Sequence, residues 1–315
     1  MGQVEPWVLA VFSRESTIGI APLVLRTVAR AGCSLRKLEF VTTHADYNEL
    51  VLGTDAYELN RSVLTELERN AESWELIDLM DLRDDCGQVD ALVRAVQQAG
   101  LTCRVFDEPA GCLYMPIDGP WKEMSAKKHL RFARRAWAAF EENMSDGYRV
   151  RVIDEPHLVR GLLGRIIAVE AQKQADGRPA KPVIGTYPDV FQKLIDQLGP
   201  GKVISVVVVE KGDKLVAWRW LYQCGNALWD YLTAYDYAFG EMSPGTLLLC
   251  AALDYGHAHE CSEFDFLRGM DTYKQRWTKT FRRNRRMIVW NHRLRSRVAA
   301  GLYLRMRRRM LAGQA

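Results

Sequence analysis

The chain has 315 residues, 48% of them hydrophobic and 26% charged; these are globular proportions, long enough for one large domain or two ordinary ones, and they exclude a disordered class. The formal net charge is only +4, but it is unevenly placed: twelve Lys and Arg and no acid lie from Lys279 onward, so the 278 residues before it carry 31 basic against 39 acidic side chains, a net of −8. Seven cysteines without CxxC spacing, mostly in apolar runs, exclude a disulfide framework and read as reduced core residues of a cytosolic protein.

The N-terminal Met1–Pro6 stretch has no basic leader region, and no run approaches the ~18 apolar residues of a membrane span. Trp7–Phe12 and Gly19–Leu25 read as strands joined by a polar turn, Leu35–Val41 as a third strand, and Asp55–Asn70 as a helix. Leu76–Leu82 is a strand and Gln88–Ala99 a helix, and Leu101–Phe106 with Leu113–Ile117 reads as a closing hairpin. A helix follows with Ser125 as N-cap, an apolar face through Leu130, Ala133, Trp137, Phe140 and Met144, and a basic stripe of Lys127, Arg131, Arg134 and Arg135. The second half runs strand Arg149–Ile153, helices His157–Lys173 and Pro188–Leu198, then strands Val203–Glu210, Leu215–Cys224 and Ala227–Tyr237 joined by Gly-containing turns. An apolar helix Thr246–His259, a strand Glu263–Leu267 and a final strand Met287–Asn291 complete the order.

Four features are candidates for chemistry. Buried strands exclude charge, so Asp265 and Arg268 inside Phe264-Asp265-Phe266-Leu267-Arg268-Gly269 mark a paired strand end, structural or functional. The stretch Gly240-x-x-Ser243-Pro244-Gly245-Thr246 joins a strand to a helix start, where free N–H groups and the helix dipole favour an anion. Glu170 and Lys173 near a helix end, and His44-x-Asp46-Tyr47 after a strand, are polar clusters that suit either a site or a solvated surface. His257-Ala258-His259 near Cys261 is too closely spaced for zinc, and no metal site is expected.

Asp265-Phe266-Leu267-Arg268-Gly269, then Tyr273-Lys274-x-Arg276-Trp277, with Ser243-Pro244-Gly245 upstream, resembles the CelD/BioF-type branch of the GNAT acyltransferase superfamily, related to the Fem aminoacyl transferases. The resemblance is strongest over residues 145–290 and weaker over 7–120, where Ala21-Pro22-Leu23 and Asp46-Tyr47 take part. It implies an α/β (α+β) fold of two GNAT-like lobes, each a mixed, mostly antiparallel sheet flanked by helices. Their expected bounds are an N-terminal lobe over 1–120, truncated at its start relative to the family, a connecting helix over 121–146, a catalytic lobe over 147–292 and a basic tail over 293–315.

The resemblance further implies acyl-CoA as co-substrate, with Gly240, Ser243, Gly245 and Thr246 as its cradle, although the family's Gln/Arg-x-x-Gly-x-Gly/Ala pattern is only partly kept. Asp265, Arg268, Lys274 and Tyr235 are the candidate catalytic residues: carboxylate, two cations and a proton donor to the leaving thiolate. Glu170, Lys173, Arg276 and Asp46 are candidate acceptor-binding residues. The expected reaction is direct attack by an amine or hydroxyl of a sugar or lipid-linked saccharide of envelope or exopolysaccharide assembly; no G-x-S-x-G elbow is present. A Fem-like transferase using aminoacyl-tRNA and a non-catalytic GNAT-fold binding module remain open. The expected location is cytoplasmic, at the inner membrane face if the basic tail engages anionic lipid.

Overall fold

The structure is a computed structural model that describes every residue except 1–2, 15, 31–32, 43–44, 53–55, 125–129, 143–146, 176–182 and 313–315; for 29–30, 33, 51–52, 56–58, 173–175 and 308–312 it describes the backbone alone. The chain groups into two units, Met1–Gly111 with Arg282–Ala315, and Cys112–Phe281.

The first unit contains β1 (Val4–Ser13), β2 (Ser16–Arg30), β3 (Cys33–Phe40), β4 (Val51–Leu52), α1 (Ala56–Arg69), β5 (Leu76–Arg83), α2 (Gln88–Gln98) and β6 (Thr102–Asp107). The second contains β7 (Cys112–Pro116), α3 (Arg131–Glu142), β8 (Tyr148–Ile153), α4 (Pro156–Ala175), α5 (Val183–Thr186), α6 (Pro188–Leu198), β9 (Ile204–Lys211), β10 (Lys214–Cys224), β11 (Ala227–Tyr235), α7 (Pro244–Ala258), β12 (Glu263–Arg268) and α8 (Thr272–Trp277), with the two-residue β13 (Phe281–Arg282) at its sheet edge. The chain then returns to the first unit for β14 (Asn284–Trp290) and α9 (Leu294–Ala312).

Each unit is built on a seven-stranded, mostly antiparallel sheet, one ordered β1-β2-β3-β5-β14-β6 with β4 on β2, the other β13-β7-β12-β11-β10-β9-β8. In the second, Val206 and Val208 of β9 face one core while Val207 and Val209 face the other, which is why the strand reads as an unbroken apolar run. Helices α3 and α7 cover one face, and α4 to α6 cover the other. Two-residue turns, Gly212-Asp213 and Gly225-Asn226, fix the register of β9, β10 and β11. In the first unit α1 and α2 cover one face through Val63, Leu67, Leu92 and Val96; α9 lies on the other through Ala300 and Tyr303.

One expectation is corrected. Residues 101–106 and 113–117 do not form a hairpin: β6 pairs with β14, from Thr102↔Trp290 to Asp107↔Arg285, while β7 pairs with β12 in the other sheet. Both segments alternate like hairpin arms, but each finds its ladder far away in sequence. The expected bounds near 120 and 292 differ from the unit boundaries at 111 and 281, and the basic tail contains a helix, α9 (Leu294–Ala312), packed on the first sheet through Ala300 and Tyr303. Among the described residues no helix is long and apolar enough to cross a membrane.

Candidate active site

The second sheet opens at its centre. β11 and β12 run parallel and are paired only from Ala227↔Glu263 to Trp229↔Asp265; β11 then continues to Tyr235 and β12 to Arg268 without a shared ladder. A bulge against β7 between Asp265 and Arg268, with Leu267 at φ 58°, turns β12 away. Asp265, fully buried, accepts the Leu267 N–H at 2.7 Å and so braces that bend. Lys274, 5% exposed, donates to the Arg268 carbonyl at 2.7 Å and lies 3.6 Å from Asp271, tying α8 to the end of β12. Gly269 sits at φ 111°, where a Cβ would come within 2.9 Å of the Asp271 carboxylate, so the Arg-Gly step needs glycine.

Beside the opening lies an ion pair in the middle of an apolar core. Arg219 of β10 donates to Asp230 of β11; the two residues are 2% and 6% exposed, and Arg219 also reaches the Gly245 carbonyl at 3.5 Å. Among the described residues, Arg219 Nε and Asp230 Oδ1 have no hydrogen-bond partner. A buried pair left incomplete on both sides contributes little to stability, which points to a role in binding or chemistry. Burial pushes the Asp230 carboxyl above its ordinary value, against the opposing pull of Arg219 and Lys274. Burial and the Asp230 charge likewise raise the Tyr273 phenol, so it stays protonated, while 42% of the residue is exposed.

The start of α7 adjoins this cluster. Asp236 accepts the Ala238 N–H at 3.0 Å and opens a 3₁₀ segment over Tyr237–Met242; Ser243, at φ 51°, then hands over to Pro244 as the first helical residue. Pro244 has no N–H, and Thr246 and Leu247 donate back to the Ser243 carbonyl. Among the described residues, this leaves Gly245 N–H as the unpartnered donor of the first turn. A Cβ built on Gly245 or Gly240 meets nothing within 4 Å, so the backbone here is open to close approach by a ligand. Lys214 pairs with Asp236 at 2.7 Å and stacks over Phe239 at 4.8 Å, adding a cation at the rim.

The other sequence candidates are placed elsewhere. Tyr235 packs its ring 4.7 Å from Tyr237 at the margin of the α7 core. Glu170 is buried, and its carboxylate accepts the Gly185 N–H at 2.8 Å, capping the short α5; Lys173 lies in α4, with its side chain outside the described residues. Arg276 lies over Phe132 at 4.3 Å, and Trp277 meets the same ring edge-on at 4.9 Å, so this end of α8 clasps α3. Asp46 belongs to the first unit, where its carbonyl accepts from Asn284 at 2.7 Å; His44, Ser125, Lys127 and Met144 lie outside the described residues. Among the described residues no group of His, Cys, Asp and Glu could hold a metal.

Sequence reasoning passed over Arg219 and Asp230, although the signal was the one that singled out Asp265. Trp218-Arg219-Trp220 and Trp229-Asp230-Tyr231 each place one ionisable residue between aromatic neighbours, the first inside a fully buried run and the second between a half-buried Trp229 and an exposed Tyr231.

The fold agrees with comparisons to known proteins. Residues 127–275 match the sequence model of an acetyltransferase (GNAT) domain. No curated protein matches the chain. Among solved structures, the C-terminal domain of an Agrobacterium fabrum protein assigned to the lysylphosphatidylglycerol synthetases superposes with a TM-score of 0.59 at 13% identity, over 95% of this chain and 86% of that one. FemX gives 0.58 at 12% identity over 90% and 88%, and L-PGS from Bacillus licheniformis 0.54 at 12% over 86% and 82%. At such identities the likeness is one of fold. The chain thus has the fold of two GNAT-like lobes, and its second lobe carries the acetyltransferase (GNAT) domain match.

Proposed function

We propose that the second lobe transfers an acyl group from a CoA thioester to an amine or hydroxyl acceptor, as the CelD/BioF-type motif around Asp265–Trp277 suggests. The observation that carries this reading is the incomplete Arg219–Asp230 pair at the point where β11 and β12 part, next to the open Gly245 backbone. The residues present fit such a donor. The Gly245 N–H, the Ser243 hydroxyl and the α7 dipole would hold its pyrophosphate, and the bound thioester supplies the activated acyl carbonyl.

The protein's own task is then to position the acceptor and manage protons. Tyr273 of α8, 42% exposed and within electrostatic reach of Asp230, would donate its phenolic proton to the departing sulfur as the carbon–sulfur bond breaks and the new bond to nitrogen or oxygen forms. The acceptor's proton passes to solvent or back to the phenolate. Asp230 acts through Tyr273 as a positioning residue, its orientation held by Arg219. The acceptor class we favour is a sugar or lipid-linked saccharide made at the cytoplasmic side of an envelope.

Thermal shift with acetyl-CoA, longer acyl-CoAs and free CoA tests the donor. A ligand at 100 times its dissociation constant stabilises by about 2.7 kcal/mol, or roughly 5–10 °C at this chain length. Thiol release on adding amino-sugar acceptors then tests transfer. A second reading, transfer from aminoacyl-tRNA, is favoured by the partly kept cradle pattern and by the fold likeness to FemX and L-PGS. A flat response to every CoA species, with stabilisation by charged tRNA, selects it; no response to either favours a binding module.

A further inference from the structure

Helix α9 has two contrasting sides. Its inner side is pinned to the first sheet: Ser296 and Ala300 are buried, the Tyr303 hydroxyl bonds Asp78 at 2.7 Å, and Arg307 lies 3.6 Å from Glu108. Its outer side shows Leu294, Val298, Leu302 and Met306 at 77, 52, 57 and 48% exposure, one every four residues. From Leu294 to Ala312 the helix contains six arginines and no acid. Arg297 and Arg305 are exposed, and no ion pair among the described residues involves either.

The apolar surface extends past the helix. A groove of about 800 Å³ runs between α9 and the sheet, with Val298, Leu302 and Met306 on one wall and Val28 and Leu35 on the other. On the same sheet face, Ile20 and Val8 lie further out at 37 and 58% exposure. Glu75 lines the groove, and Glu39 and Asp78 meet Lys37 on its wall; all three are buried and paired with Arg26, Lys37, Arg36 and Arg286, while the exposed Glu72 beside the start of α9 is paired with Arg293 at 3.0 Å. The outward charge along this surface is therefore basic.

We propose that the outer side of α9 and the adjoining groove form a docking surface for an anionic lipid membrane. Two observations favour lipid over a protein partner. The free arginines bracket apolar side chains with no acid among them, which complements a negative surface with an apolar interior. In addition, a four-residue step overshoots the helical turn by roughly 40°, so the row winds about the axis. A partner helix needs a straight seam to interlock with; a fluid bilayer does not. Docking of this kind is independent of the chemistry in the second lobe.

The test is sedimentation of the full chain with vesicles of pure phosphatidylcholine and of phosphatidylcholine with 30% phosphatidylglycerol, a composition on the order of natural anionic membranes. The expected result is binding to the anionic vesicles alone, weakened about tenfold or more between low and high salt. Both Leu302→Glu with Met306→Glu and Arg297→Glu with Arg305→Glu should abolish it, while the circular-dichroism melt stays as in the parent chain. Binding to neither vesicle, or binding that these variants leave unchanged, overturns the proposal. So does sedimentation velocity without lipid that shows a dimer dissolved by the same variants, which would make the surface a self-association face.

Discussion

Two buried aspartates, one in each unit, occupy similar settings and behave in opposite ways. Asp78 on β5 faces Arg286 from the adjacent β14, as Asp230 on β11 faces Arg219 from the adjacent β10. Around Asp78 every oxygen is engaged: Arg286 donates twice at 2.6 Å, Tyr303 at 2.7 Å and Lys37 at 3.2 Å. Burial alone would raise its carboxyl, but Arg286, Lys37 and Tyr303 outweigh that and hold it below the ordinary value. Asp230 has one arginine, one empty oxygen and a raised carboxyl. A saturated network welds α9 to its sheet; an unsaturated one waits for a partner that the fold does not supply.

The sharpest break of this contrast replaces both members of the Arg219–Asp230 pair by apolar residues and truncates one member of the other. Arg219→Met with Asp230→Leu should lower acyl transfer by about a hundredfold or more while leaving the melting temperature equal or higher, because a buried ion pair exchanged for packed hydrophobes is often neutral or stabilising. Activity retained in this double variant would make the pair structural. By contrast, Asp78→Ala leaves Arg286 only the Tyr303 hydroxyl and the more distant Glu108 at 3.8 Å, and should cost up to about 3–5 kcal/mol in urea unfolding, with α9 becoming the first site of proteolysis.

The pH dependence separates the two by sign. Asp78, depressed when folded, contributes stability that is present above its ordinary value of 3.8 and is lost as pH falls through the lower folded value. Asp230, raised when folded, contributes stability that is present below 3.8 and is lost as pH rises through the higher folded value. Urea midpoints between pH 3 and pH 7 should therefore show the Arg219/Asp230 double variant gaining most over the parent at neutral pH. The Asp78 variant should lose most there and converge on the parent in acid. Parallel curves would remove the distinction.

Smaller effects sharpen it. Gly245→Val should weaken CoA binding about tenfold or more without a change in melting temperature, since the added side chain enters open space that a ligand backbone contact would need. Asp265→Asn should do least, within about 1 kcal/mol of stability, because an amide oxygen can still accept the Leu267 N–H.

Local signals carried most of the element order. The turn at Gly225-Asn226, Pro188 at a helix start and the Gly199 stop are all short-range chemistry, and α6 spans Pro188–Leu198 as its sequence predicts. Asp265 stood out because a carboxylate is rare in an apolar run, and it is indeed fully buried. Arg219 and Asp230 bear the same mark, but in aromatic stretches whose tryptophans and tyrosines invite a packing interpretation instead. What no window could reveal is the placement of β14. Its partners Leu79 and Val105 lie some two hundred residues upstream of Met287, and nothing local to Met287 names them. The same distance hid the separate destinations of β6 and β7.

That placement has a consequence for how the chain is made. Among the described residues β6 has no ladder except with β14, and the free side of β5 is closed by β14 too. A ribosome therefore delivers both early strands long before it delivers the strand that joins them, with the whole second unit synthesised in between. Throughout that interval two strand edges of the nascent first sheet stay open to any passing β-segment. Those edges are where the newborn protein is open to mispairing until residues 284–290 leave the exit tunnel and close the gap.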